Sequence, residues 1–151
     1  MNLESRLLSL PHGARHALSA VSCLASFEGR GYSMVEQIAQ RLGVSSSYLA
    51  KILQLLARKG VLSSRRGARG GYRLARPAAR LYLAEVVRAA GLEENRPPQC
   101  MIEARACGGA APCALHREVE RAERSWWRRL QKMTVAQLAQ GNQLRRVHGQ
   151  G

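Results

Sequence analysis

Residues 33–74 carry two short amphipathic helices joined by one glycine, followed at once by two strand segments around an arginine- and glycine-rich tip. Ser33-Met34-Val35-Glu36 reads as a capping box, the hydroxyl bonding the third helical amide and the carboxylate reaching back. The helix it opens carries Val35, Ile38, Ala39 and Leu42 on one side, and Gly43 supplies a tight turn. Ser45 can cap the second helix, whose apolar side is Leu49, Ile52, Leu53, Leu56 and Ala57, and Gly60 closes it. Val61–Ser64 and Gly71–Leu74 read as strands flanking a basic hairpin tip at Arg65–Gly70. With a third helix before them, this is the order of a winged helix-turn-helix: the turn unit at about 35–58 and the wing at about 61–75.

That preceding helix spans about 13–27, with Ala14, Ala17, Leu18, Val21, Leu24 and Ala25 at three- and four-residue spacing, and Gly29 and Gly31 end it. Leu81–Ala90 reads as a further short helix. Residues 8–92 therefore form the winged domain. The next segment, 93–113, is rich in proline, glycine and cysteine and poor in large apolar groups, so it needs a staple other than hydrophobic packing. From Ala114 a long helix resumes, with Leu115, Val119, Ala122, Trp126, Leu130 and Met133 as one apolar seam. Thr134-Val135-Ala136-Gln137 is a second capping box that restarts the helix at a bend, and residues 141–151 read as a frayed basic tail. The fold class is mainly α, with a small two-stranded wing.

Charge narrows the partners. The chain has 151 residues, 24 Lys and Arg against 10 acidic groups, a net charge of +14 and a pI near 11.1. There is no Asp at all, which removes Asp-based triads, aspartic dyads and EF-hands. No acidic residue occurs between Glu36 and Glu85, a stretch holding ten Lys and Arg. A charge run is usually a solvated face, but this one coincides with the helix-turn-helix, which points to nucleic acid. No apolar run approaches the roughly 18 residues of a membrane span, and the reading is of a cytoplasmic protein with reduced thiols.

Ser46, Ser47, Tyr48 and Lys51 stand at the start of the second helix of the pair, the end that enters a DNA major groove in helix-turn-helix proteins. Arg65, Arg66 and Arg69, on a tip shaped by Gly70 and Gly71, can enter a minor groove or clamp phosphates. Cys100-x6-Cys107-x5-Cys113-x2-His116 amounts to a four-ligand set. By spacing an iron–sulfur cluster ranks ahead of redox-active thiols and of zinc, whose structural sites favour tighter Cys pairs, and all three stay open. Cys23 reads as a buried small hydrophobe, and His12, His16 and His148 as structural or solvent-exposed. No nucleophile, general base or small-molecule pocket can be named, so an enzyme, for instance a small metalloenzyme with a basic domain, is a distant alternative.

The run Ser47-Tyr48-Leu49, Ile52-Leu53, Leu56, Gly60-Val61-Leu62, Ser64, Arg66-Gly67, Gly70-Gly71-Tyr72 and Leu74-Ala75 resembles the signature of the Rrf2 family of bacterial winged-helix transcription regulators. The resemblance covers about residues 8–140. It implies a homodimer on a roughly palindromic DNA operator, and a dimerisation helix at 114–140 presenting Leu115, Val119, Ala122, Trp126 and Leu130. The Cys113-x2-His116 step is similar to that of the family's iron–sulfur regulators of the IscR type. For them the resemblance implies a 2Fe-2S cluster on Cys100, Cys107, Cys113 and His116, with 4Fe-4S the other possibility and zinc the weaker one. Nitric-oxide sensors of the family recruit an Asp from the first helix, where this chain has Arg15. A nitric-oxide or thiol-redox responsive repressor is the alternative within the family. Should His116 not ligate, Glu103 is the nearest carboxylate in sequence.

Overall fold

The structure is a computed structural model and describes residues 10–92, 100, 102, 107 and 112–148. Glu103 and residues 149–151 lie outside the described residues, as does most of the segment 93–113. Among the described residues six helices and a two-stranded antiparallel sheet follow in the order α1 (His12–Ala25), α2 (Val35–Leu42), α3 (Ser46–Arg58), β1 (Leu62–Arg65), β2 (Gly71–Leu74), α4 (Leu83–Ala89), α5 (His116–Lys132) and α6 (Val135–His148). A single 3₁₀ turn at Ala78–Arg80 links β2 to α4. This is the mainly α winged helix-turn-helix expected from the sequence.

The turn between α2 and α3 is built by Gly43, whose φ of 66° lies in the left-handed region. There the amides of Gly43 and Val44 bond back to the Gln40 and Ala39 carbonyls and satisfy the end of α2. Ser45 Oγ accepts from the Tyr48 amide at 3.4 Å and starts α3. At the other end of α3, Val61 N–H reaches the Leu56 carbonyl at 2.9 Å, so the chain turns directly into the wing. Leu62 pairs with Leu74, Ser63 with Arg73, Ser64 with Tyr72 and Arg65 with Gly71.

One core holds these elements. Val21, Ile38, Leu49, Leu53, Leu56, Leu81, Val86, Val87 and Val135 are fully buried. Burying each such side chain contributes on the order of 1.5–3 kcal/mol. The C-terminal helices belong to the same core: Trp127, Leu130, Val135 and Ala139 are buried. Val135 N–H donates to the Leu81 carbonyl at 2.8 Å and Leu83 N–H to the Met133 carbonyl at 2.9 Å, which stitches the α5–α6 corner to the start of α4.

Two expectations at helix ends are corrected. Ser33 does not cap α2. Its backbone is taken by a bridge to Tyr72, with N–H···O contacts of 2.9 and 2.8 Å, and α2 starts one residue later, where Gln37 Oε1 accepts from the Met34 amide at 3.1 Å. Nor does the chain fray at 141. Helix α6 runs through Gly141 to His148, and Asn142 Nδ2 donates to Ser22 Oγ of α1 at 2.9 Å. The second capping box is present as expected: Thr134 N–H donates to Gln137 Oε1 at 2.9 Å, and Gln137 N–H to Thr134 Oγ1 at 3.3 Å.

Candidate DNA interface and cysteine site

Helix α3 buries Leu49, Ile52, Leu53 and Leu56 and leaves Ser47, Lys51, Gln54 and Arg58 exposed, a solvent stripe at four-, three- and four-residue steps. Tyr48 is 38% exposed beside Ser47, and Ser46 is half-buried. The Tyr48 hydroxyl lies 3.0 Å from His16 Nδ1, with the two rings edge to face at 5.3 Å. His12 stacks on His16 at 6.4 Å. His16 therefore supports the start of the exposed helix, a role that no local signal reveals because 32 positions separate the partners.

The wing has two faces. Leu62, Ser64, Tyr72 and Leu74 share one. Leu62, Ser64 and Tyr72 border, with Gln54, Ala57 and Arg58 of α3, an open groove of about 360 Å³. Ser63, Arg65, Gly71 and Arg73 share the other face, and Tyr32 lies against it. The Arg65 and Arg73 guanidinium carbons each sit 4.7 Å from the Tyr32 ring centre, and the Tyr32 hydroxyl is 3.2 Å from Ser63 Oγ.

These contacts fix the surroundings of the wing residues expected to meet DNA. Arg65 is not free at the tip: besides Tyr32 it donates to the Arg69 carbonyl at 2.7 Å. Gly70 is buried, and a Cβ there would overlap the Arg65 carbonyl, so it shapes the tip and offers no surface. Gly71, at φ 128°, lets the wing approach the Ser33 carbonyl, which a Cβ would strike. Arg66 and Arg69 are exposed as expected.

The cysteine site is compact. The sulfur atoms of Cys100, Cys107 and Cys113 all lie within 4.8 Å of one another, partly buried, and none is in a disulfide. Two thiolates on one tetrahedral zinc stand roughly 3.8 Å apart, given Zn–S bonds of about 2.3 Å, so this convergence suits a metal centre. Cys113 N–H also points at Cys107 Sγ, at 3.5 Å. The Cys113 thiol is pushed above its ordinary value, first by its hydrogen bond with Cys107 and then by burial, with Cys100 adding to the rise and the Leu115 amide opposing it. Such a thiol is neutral until a metal displaces its proton.

His116 opens α5, its amide bonded to the Cys113 carbonyl at 3.1 Å. Its nitrogens are not among the donors that share the 4.8 Å cluster. Its Nδ1 is nevertheless buried and has no hydrogen-bond partner, an arrangement that a buried polar atom rarely keeps without a further ligand. The three thiols thus fit an inorganic centre, and the orphaned imidazole nitrogen of His116 stands outside their group.

Along α5, Leu115 and Ala122 are exposed and Val119 and Trp126 half-buried. Leu130 differs from the expected seam: it is 6% exposed and already used by the chain's own core, because the helix descends onto α4 over its last turns. Trp127, which the seam omitted, is buried next to it. Cys23 is buried on α1 as expected.

Among the described residues no helix is long and apolar enough to cross a membrane. The family described as "Rrf2: Iron-dependent Transcriptional regulator" matches residues 10–141. Protein rrf2 of Nitratidesulfovibrio vulgaris is 36% identical over 105 residues, 69% of each chain. Two solved structures share the fold. CymR, the global cysteine regulator of B. subtilis, has a TM-score of 0.70 at 24% identity, covering 88% of this chain and 97% of that one. T. potens IscR has a TM-score of 0.68 at 24% identity, covering 89% and 88%.

Proposed function

Because this chain belongs to the Rrf2 family of transcriptional regulators, we propose that its grip on DNA is governed by an iron–sulfur cluster bound to Cys100, Cys107, Cys113 and His116. As a member of that family it is a winged-helix, DNA-binding regulator and not an enzyme. The observation that carries the cluster reading is the convergence of three thiols in a segment otherwise without a core, next to an orphaned imidazole nitrogen. A bound cluster, of the 2Fe-2S kind in this reading, supplies an inorganic centre that oxidation or iron shortage can remove.

The chain's own residues do the rest. Cys100, Cys107 and Cys113 give up their protons to bind, and His116 presents a neutral nitrogen from the first turn of α5. This ties the loop to the helix, and Leu115 at its start with Val119, Ala122 and Trp126 along it, exposed or half-buried, form the homodimer contact. Two α3 helices then enter major grooves about 34–36 Å apart on a palindromic operator in the cytoplasm. Ser46, Ser47, Tyr48 and Lys51 meet bases and phosphates there, and Arg66 and Arg69 reach into the minor groove. Occupancy of the cysteine site sets the position of α5 and thereby the spacing of the two α3 helices.

The test is anaerobic purification with iron and acid-labile sulfide analysis. Coloured protein holding both in similar amounts is expected. Colourless protein with stoichiometric zinc overturns the cluster. Metal-free protein whose three close thiols oxidise together, releasing or capturing DNA, favours the thiol-redox reading, and so does the proximity of those sulfurs.

A further inference from the structure

We infer that Tyr32, Arg65 and Arg73 form a second DNA contact on the outer face of the wing: a preordered two-cation cradle for the phosphodiester backbone flanking the operator. It rests on DNA binding by this chain and not on the cluster.

The cross-strand register places Ser63, Arg65 and Arg73 on the face turned away from α3. Tyr32 arrives there because the Ser33–Tyr72 bridge adds residues 32–34 to the edge of the ribbon beside β2. Its ring then carries both guanidinium groups at 4.7 Å, and its hydroxyl is fixed at Ser63. Stacking on an aromatic face holds an arginine in place without neutralising it. Neither Arg65 nor Arg73 forms an ion pair among the described residues. Glu28 and Glu36 each stand four residues from Tyr32; Glu28, which borders the same pocket as Arg73, accepts from the Ala78 amide at 3.1 Å, and neither carboxylate is ion-paired with Arg65 or Arg73. Two immobilised, unneutralised cations on one exposed surface have the chemistry of a phosphate site.

Position selects the ligand. With α3 in a major groove and the tip at Arg66 in the next minor groove, the outer wing face lies over the sugar–phosphate chain beyond that groove. The contact is therefore blind to base sequence. Tyr32 acts as a positioning residue: it removes in advance the freedom that two long side chains would otherwise lose on binding.

Because the contact reads no bases, a fluorescein-labelled 40-bp duplex of random sequence is a sufficient probe, titrated with the full-length protein at several salt concentrations and read by anisotropy. Arg73→Gln should weaken binding and lower the salt slope by about one unit. Tyr32→Ala removes no charge yet should weaken binding about three- to ten-fold, while Tyr32→Phe, which keeps the stack, should bind like the parent. Circular dichroism confirms that each variant is folded. Parent-like binding by folded Tyr32→Ala overturns the cradle. So does a loss in Tyr32→Ala with none in Arg73→Gln, which would make Tyr32 merely structural. Parent-like binding by both variants, with loss in Lys51→Ala, overturns the cradle while leaving DNA binding through α3 intact. Failure of the parent protein to bind the duplex overturns both.

Discussion

The Asn142 side-chain amide donates to the Ser22 hydroxyl at 2.9 Å, joining residues 120 positions apart. Ser22 is 7% exposed, so water does not readily replace this partner. Asn142→Ala should therefore cost about 1 kcal/mol and lower the melting temperature by roughly 2–4 °C. Thermal denaturation followed by circular dichroism checks this, and an unchanged midpoint would show that α6 is not held there.

Gly141 precedes that anchor inside α6, with no left-handed φ and nothing within 4 Å of a built Cβ. Gly141→Ala should stabilise the protein by about 0.5–1 kcal/mol, since alanine fits the helix and loses less backbone freedom on folding. Urea titration of the parent and the variant measures the sign. A lower midpoint would contradict the helical assignment.

The contrast between these ends and the rest shows what the sequence can reveal. Helices α1 to α4 were legible because their apolar residues recur at helical spacing and their ends carry glycines. The pattern at Ser33 misled because a distant strand residue, Tyr72, competes for its backbone. Gly141 misled because a glycine inside a helix costs only about 1 kcal/mol relative to alanine, which the hold on Ser22 offsets. The three cysteines were legible as a group through their spacing. The His16–Tyr48 contact and the stack on Tyr32 were not, because pairs of side chains from different elements leave no local periodicity.

Arg66 and Lys51 should fail in different ways. Arg66 is exposed at the wing tip, and Arg66→Ala should weaken an operator selected from random duplexes by roughly 1–3 kcal/mol if its contact is a bidentate base contact. Lys51→Ala should weaken selected and random DNA alike and lower the salt slope by about one unit. Competition titrations on both duplexes separate the two. Equal loss of discrimination in both variants would reverse the assignment.

Acid should loosen the link from β2 to α4. Burial alone would raise the Glu85 carboxyl, but hydrogen bonds from Arg76 and the Tyr82 amide, with the charges of Arg76 and Arg88, outweigh it and hold it below its usual value near 4.5. A carboxyl depressed in the folded state adds stability that is complete above the unfolded value and is lost as pH falls through the folded one. Stability should therefore decline below about pH 4.5. In Glu85→Gln this part of the decline should be absent, as denaturation across pH 3–7 would reveal.

His116 tests the ligand set separately from the scaffold. His116→Cys should keep a cluster with an altered spectrum, because thiolate replaces imidazole. His116→Ala should lose or weaken the cluster while the elution volume stays that of the parent, since the exposed side chains of α5 do not depend on it. A parent-like spectrum in His116→Ala would remove His116 from the ligand set and bring Glu103 forward.

Among the described residues, every buried core side chain lies no later than Ala89 or no earlier than Trp127. The near end is pinned where the Leu92 amide meets the Val87 carbonyl at 3.0 Å, and the far end where α5 settles on α4. The donors Cys100, Cys107 and Cys113 between these anchors are not among the side chains of that core, so they can be replaced without repacking it. With the cysteines as the proposed sensor, what the regulator detects and whether it folds are separable traits, open to selection on residues that do not overlap.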